Sequence, residues 1–151
     1  MEIPERLGGS LRSFLDDTET QLGSIPPFIA SYVQNSIIRH SGEIQIIGAG
    51  SYYSSLYSGD KVTIQGVCRG GTIEANGDVK VKEFAFISTE VLPDASQIRI
   101  KVPAKASIYL NLVHEDIVVQ VGKLVYKFDH EYSNIKVTHD AETGMLKLVN
   151  F

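Results

Sequence analysis

The sequence predicts a mainly β protein, a β-helix of short glycine-punctuated coils with a short helical segment before it and capping strands after it. Three observations lead there. From Ile37 onward apolar residues alternate with polar ones at period two, in Ile44 and Ile46, Val62 and Ile64, Val79 and Val81. Each pair follows a glycine-acidic turn, Gly42-Glu43, Gly59-Asp60 and Gly77-Asp78, and the turn recurs after 17 and then 18 residues. Finally, Ile38 to Ile44, Leu56 to Val62 and Ile73 to Val79 are each six residues apart, with the turn between the two apolar positions. Self-similarity at a fixed period means that one unit cannot cover its own apolar face and must stack on its neighbours.

In chain order, the first element expected is a helix. Leu7, Leu11, Phe14, Leu15 and Leu22 form one stripe at a spacing of three to four. Gly23 and Ser24-Ile25-Pro26-Pro27 end it. The apolar run Phe28-Ile29-Ala30-Ser31-Tyr32-Val33 reads as one or two further helical turns, so residues 1–35 form the helical segment. They carry two basic residues against five acidic ones, whereas 36–123 balance nine against nine. Residues 36–123 are the β-helix repeats. In the turns, glycine is expected to supply a positive φ and the acidic neighbour, as in Asp60 and Asp78, to bond backbone amides. Longer segments such as Gly48 to Ser55 must carry the chain round a third side.

Beyond Phe84 further strands are expected at 97–102, 106–110 and 116–122, the last closing the stack. Residues 124–151 then supply capping strands, 123–128, 134–137 and 145–149. Glu142-Thr143-Gly144 is a hairpin turn between the last two. Capping strands protect an open β-stack from edge-to-edge pairing.

Composition narrows the function classes. The chain has 151 residues, 43% of them hydrophobic, and a net charge of −4 with no dense lysine or arginine cluster, which disfavours nucleic-acid binding. No apolar run approaches the roughly 18 residues of a membrane span, and the acidic start Met1-Glu2-Ile3-Pro4-Glu5 is not a targeting signal, so a cytoplasmic location without membrane insertion is expected. The single Cys68 permits no internal disulfide and reads as a small buried hydrophobe at a strand end.

The runs Ser41-Gly42-Glu43-Ile44-Gln45-Ile46, Gly59-Asp60-Lys61-Val62-Thr63-Ile64, Cys68-Arg69-Gly70-Gly71-Thr72-Ile73 and Gly77-Asp78-Val79-Lys80-Val81 resemble the flagellar assembly protein A (FapA) family. So do Ile117 to Gly122, Tyr126-Lys127-Phe128-Asp129 and Asn134-Ile135-Lys136-Val137 near the end. The resemblance covers roughly residues 36–151. It implies a single-stranded right-handed β-helix flanked by helical segments, without catalytic residues, in a short or truncated member. Its handedness comes from the family alone. The C-terminal β-helix of the division inhibitor MinC and the polymer-forming bactofilins use similar glycine-turn rungs.

Motifs that suggest chemistry fail on mechanism. Gly48-Ala49-Gly50 after Ile44-Gln45-Ile46-Ile47 looks like a dinucleotide loop, but Tyr53 stands at the third glycine position and a strand follows where a helix N-terminus is needed. Cys68-Arg69-Gly70-Gly71 could be an anion nest, yet it sits in phase with the repeat and reads as a corner. His40, His114, His130 and His139 lack metal-ligand spacing. Asp129, His130 and Glu131, placed on a strand, would alternate faces and not converge. No G-x-S-x-G, P-loop or HExxH pattern occurs, nor a six-residue acyltransferase period.

The expectation is therefore a non-catalytic, FapA-like module that binds protein partners or itself, in flagellar assembly or positioning, with no cofactor and no metal. A self-assembling bactofilin-like polymer is the alternative, and a small-ligand protein or enzyme using the Cys68–Thr72 corner is a third class. The structural turns are Gly42, Gly59, Asp60, Gly70, Gly71, Gly77 and Asp78. The expected partner surface is Tyr53 and Tyr57, which alternation places on one side, together with the stripe Leu7, Leu11, Phe14 and Leu15.

Overall fold

The computed structural model describes residues 25–85 and 97–151. Among them the chain is all β, a solenoid of about five turns with no helix. The expected helix, with Leu7, Leu11, Phe14 and Leu15, lies outside the described residues.

One sheet runs in the order β1 (Phe28–Gln34), β3 (Ile44–Tyr52), β5 (Val62–Arg69), β7 (Val79–Ala85), β9 (Ile108–Val113), β12 (Tyr132–Asp140), β13 (Met145–Asn150). The other runs β2 (Ile37–His40), β4 (Ser55–Ser58), β6 (Thr72–Ala75), β8 (Ile100–Val102), β10 (Val118–Val121), β11 (Leu124–Lys127). All pairings from β1 to β9 and from β2 to β10 are parallel, so each coil crosses once from the first sheet to the second.

Parallel stacking in register explains the repeat. Ile44, Val62, Val79 and Ile108 are successive partners in the first sheet, and Ile38, Leu56, Ile73 and Ile100 in the second. From Ile44 and Leu56 onward these residues are buried, with Ile46, Ile64, Val81 and Leu110 filling the next inward position. Each fully buried Val, Leu or Ile contributes about 1.5–3 kcal/mol before entropy is set against it.

The third side anticipated for Gly48 to Ser55 is the second arm of a kinked strand. The register of the first sheet shifts between Ala30 and Tyr32, Ile46 and Gly50, and Ile64 and Val67, one irregularity above another. Past the kink the inward column is Val33, Ser51, Cys68, Phe84 and Val113, all buried. In the first three coils the corner from this column to the second sheet is constant, as Val33–Ile38, Ser51–Leu56 and Cys68–Ile73 show; after Phe84 it lengthens to sixteen residues, reaching Ile100. The six-residue step back to the first sheet is also constant in these three coils and lengthens to eight, from Ile100 to Ile108, in the fourth. Within the first three coils only the kink varies, with three residues from Ala30 to Val33, five from Ile46 to Ser51 and four from Ile64 to Cys68; in the fourth it takes three from Val81 to Phe84.

Two expectations are corrected here. Phe28–Val33 is not helical; it is strand β1, paired with β3, and the solenoid begins at Phe28 rather than at residue 36. The kink explains the misreading. It places the inward residues at 28, 30 and 33, a spacing that imitates a helix stripe, while the Phe28 N–H is bonded to the Glu43 carbonyl at 2.8 Å. The second correction concerns the turn glycines. Gly42, Gly59 and Gly77 do not have positive φ. Gly59 is required for space, since a Cβ there would collide with the Ser41 carbonyl oxygen of the preceding coil.

The two ends of the stack differ. At the C-terminal end the chain reverses: β11 runs antiparallel to β10, β12 extends the first sheet antiparallel to β9, and β13 pairs antiparallel to β12. Phe128, Ile135 and Val137 are buried there. At the N-terminal end β1 and β2 are sheet edges, and Phe28, Ala30 and Ile38 are only partly buried, although they occupy the columns that are sealed in the coils below.

Candidate functional site

The Cys68-Arg69-Gly70-Gly71 corner leads from β5 to β6. Gly70 and Gly71 have φ of 72° and 76°, and a Cβ on Gly71 would strike the Ser54 carbonyl, so the chain passes where only glycine fits. The Tyr53 N–H donates to the Arg69 carbonyl (2.8 Å) and the Thr72 N–H to the Ser54 carbonyl (3.2 Å). From beneath, Arg99 donates from Nη1 to the Gly71 carbonyl at 3.0 Å. Arg99 is 2% exposed and was not legible in the sequence, because it reaches this corner across 28 residues. Burial pushes the Cys68 thiol up to about 12, against the opposing pull of the Arg99 charge, so the sulfur stays protonated and is a poor nucleophile near neutral pH.

Hydroxyl and carboxylate groups tie successive turns together. The buried Ser58 hydroxyl donates to the Gly42 carbonyl (2.7 Å) and accepts from the Asp60 N–H (3.0 Å), joining the first two glycine turns. Asp78 accepts from the Ser107 N–H at 2.9 Å, the backbone bond expected of a turn carboxylate, made to the next coil. Ser58 was missed, though its place directly before Gly59 is visible in the sequence. The Ser51 hydroxyl is fully buried without a hydrogen-bond partner.

The two tyrosines are placed differently from expectation. Alternation does not run from Tyr53 to Tyr57, because Tyr53 has φ of 53° and is itself a corner residue, stacked in sequence phase below Asn35 at φ of 51°. Tyr53 is 49% exposed at the junction of the sheets. Tyr57 faces outward on the second sheet, and the Arg39 guanidinium lies 4.2 Å from its ring centroid, a cation–π contact between neighbouring coils. With Glu74 they border an open depression of about 360 Å³.

The first sheet carries an outward row that the sequence did not announce. Lys80, Tyr109 and Lys136 are lateral partners. The two ammonium groups lie 5.4 and 5.3 Å from the Tyr109 ring centroid, and Phe151 packs edge-on against that ring at 5.6 Å. Beside them Thr63, Gln65, Lys82 and Asn111 border a shallow depression of about 540 Å³.

Residues 129–131 lie in the turn between β11 and β12, not on a strand, so the alternation argument does not apply to them. Asp129 and His130 do meet, at 2.8 Å, but both are well exposed. Tyr132 stacks on the His130 ring at 4.2 Å. Its phenol is raised to about 12, first by its hydrogen bond with Tyr126. His114 pairs with Glu83 at 2.8 Å and His40 contacts the Pro26 carbonyl at 2.8 Å, so the histidines serve separate local contacts.

Gly48-Ala49-Gly50 lies within β3, and β4 follows after Tyr53-Ser54, leaving no helix N-terminus for a pyrophosphate. Among the described residues no three His, Cys, Asp or Glu side chains come together as a metal site, and no helix is long and apolar enough to cross a membrane. Comparison with protein-family models, curated proteins and solved structures found no match.

Proposed function

We propose that the chain is a non-catalytic, FapA-like β-helical module that binds a protein partner through the outer surface of its stack. The observation that supports this most is the filled interior: apart from Ser51, the inward positions of the middle coils are occupied by apolar side chains, which leaves the outward rows and the ends as contact surface. Parallel coils repeat outward side chains at about 4.8 Å, so Arg39, Tyr57, Glu74 and Lys101 form one fixed ladder, and Gln45, Thr63, Lys80, Tyr109 and Lys136 another. A rigid array of this kind binds with little loss of conformational entropy. The flagellar part of the reading rests on the family resemblance alone.

The test is a pull-down with the full chain beside a Tyr53→Ala/Tyr57→Ala variant of unchanged circular dichroism. Loss of the partner in the variant supports the tyrosine surface, and full retention removes it. A bactofilin-like polymer is a second reading, favoured by the open edges of β1 and β2. The antiparallel strands at the other end oppose it, because filament growth needs two open ends. Sedimentation over a hundredfold concentration range separates the two: a climb to large species supports the polymer, and a monomer or closed dimer supports the module. Stabilisation by a nucleotide, sugar or metal ion in a thermal-shift screen would instead favour a small-ligand protein.

A further inference from the structure

The outward rows of the two sheets carry charge differently. On the second sheet the ladder Arg39, Tyr57, Glu74, Lys101 mixes both signs. On the first, the row Gln45, Thr63, Lys80, Tyr109, Lys136 has lysine as its only charged type. Lys82 lies two residues along β7 from Lys80 and faces the same side. The chain as a whole has a net charge of −4, so this face runs against the sign of the molecule. Among the described residues none of the three lysines is ion-paired. Glu83, next to Lys82 in sequence, is engaged by His114 at 2.8 Å.

The lysines are also held in position. The ammonium groups of Lys80 and Lys136 share one ring, 5.4 and 5.3 Å from the Tyr109 centroid, and Phe151 packs against that ring edge-on. A ring face fixes a cation without cancelling its charge. Two like charges kept near one another repel, and an anion beside them relieves the repulsion. Lys80 and Lys82 border the depression of about 540 Å³ together with Thr63, Gln65 and Asn111. Asn111 donates from Nδ2 to Asn134 Oδ1 at 3.1 Å, which orients its side chain at the rim. Along β7 the two lysines are spaced by about 6.6 Å, twice the rise of 3.3 Å per residue, and alternate side chains of any extended peptide repeat at that same distance. Three lysines are too few to track a phosphate backbone.

We infer that this face docks an extended acidic segment of a protein partner, with carboxylates at every second position. Lying along β7, such a segment sets successive carboxylates on Lys80 and Lys82. Lys136 takes a further acidic group across Tyr109, and Thr63, Gln65 and Asn111 offer hydrogen bonds to the segment's backbone. The inference rests on the reading that the outer surface of the stack binds a protein, and it assigns the first sheet and the partner's charge.

The experiment titrates the full chain into a fluorescein-labelled octapeptide of alternating glutamate and threonine and follows anisotropy. The expected dissociation constant is on the order of 100 µM at low ionic strength, weakening severalfold between about 0.01 M and about 0.15 M salt. A Lys80→Gln/Lys82→Gln/Lys136→Gln chain of unchanged circular dichroism should bind about tenfold more weakly or worse. The control Lys105→Gln/Lys123→Gln should bind as the unaltered chain does. If the triple glutamine chain is disturbed in its fold, Lys80→Arg/Lys82→Arg/Lys136→Arg, which keeps the charges, should retain binding. Equal binding by the triple glutamine chain and the unaltered one overturns the inference, and so does no binding at low salt. A peptide of the same composition with its glutamates contiguous should bind more weakly, and equal binding would overturn the alternate spacing. Tighter binding of a single-stranded oligonucleotide would make nucleic acid the occupant and overturn it as well. In the pull-down, a partner retained by the lysine variant but lost by Tyr53→Ala/Tyr57→Ala defeats this inference and leaves the module reading standing.

Discussion

The two ends of the solenoid meet the same problem in different ways. At the C-terminal end the chain stops climbing and folds back, and antiparallel β11, β12 and β13 convert the last coil's open edges into paired ones. Phe128 is thereby buried between the edges of Tyr126 and Tyr132, at ring-centroid distances of 5.0 and 5.3 Å. At the N-terminal end β1 and β2 stack on the coil below and are the outermost strands among the described residues. Parallel stacking solves the core for every coil except the outermost, and those two need structure that is not part of the repeat.

The largest test of that contrast lies inside the stack. Gly71→Ala drives a methyl into the Ser54 carbonyl at φ of 76° and is expected to cost about 4 kcal/mol or to abolish folding. Gly144→Ala in the C-terminal hairpin, at φ of 72° with nothing within 4 Å, is expected to cost only about 1 kcal/mol in urea denaturation. Equal costs would show that backbone conformation, not coil-to-coil contact, makes these positions glycine. Next in size, Phe128→Ala should lose about 3–5 kcal/mol. Phe28→Ala, at the partly buried N-terminal end, should lose about half that or less. If Phe28→Ala costs as much as Phe128→Ala, the two ends of the stack bury their aromatic residues equally well.

A smaller effect concerns Cys68. Its folded pKa is raised to about 12 from 9.0, so the unfolded chain loses this proton first. Folding stability from this group is complete below about pH 9 and declines as pH rises from there toward 12. Cys68→Ala should flatten that part of the alkaline limb, and labelling of Cys68 at pH 8 should require unfolding. The smallest effect belongs to Asp140 in the C-terminal hairpin, whose carboxyl accepts the Glu142 N–H at 2.9 Å and is held below its ordinary 3.8. Its contribution is present above the unfolded value and is lost as pH falls through the lower folded one. Asp140→Asn should remove that acid-side slope from a thermal melt series without altering the melt at pH 7 by more than a degree or two.

Much of the coil was legible because parallel pairing in register puts like residues at like positions. The six-residue step from Ile38, Leu56 and Ile73 to Ile44, Val62 and Val79 is a lateral relation that the chain prints as a period. The antiparallel end was legible through Thr143-Gly144 and the alternation around it. What was hidden depends on contacts across coils. The clash that makes residue 59 glycine comes from Ser41, and φ had been the expected reason. Arg99 serves a corner 28 residues away. Strand β1 was obscured by the kink, which changes the phase of its inward residues halfway along. Tyr53 was assigned to a strand face because nothing in its sequence reveals a corner that Asn35 and Gly70 also occupy.

That kink has a consequence for how such a chain can change over time. In the first three coils the steps on either side of it are fixed, while the kink itself accepts three, four or five residues between its inward positions without disturbing the columns before or after. A single-residue insertion within a strand arm would turn the rest of that arm's core face toward water. At the kink the same insertion only enlarges a bulge. The solenoid therefore has an expansion joint in each coil, a site where length can drift while the fold stays in step.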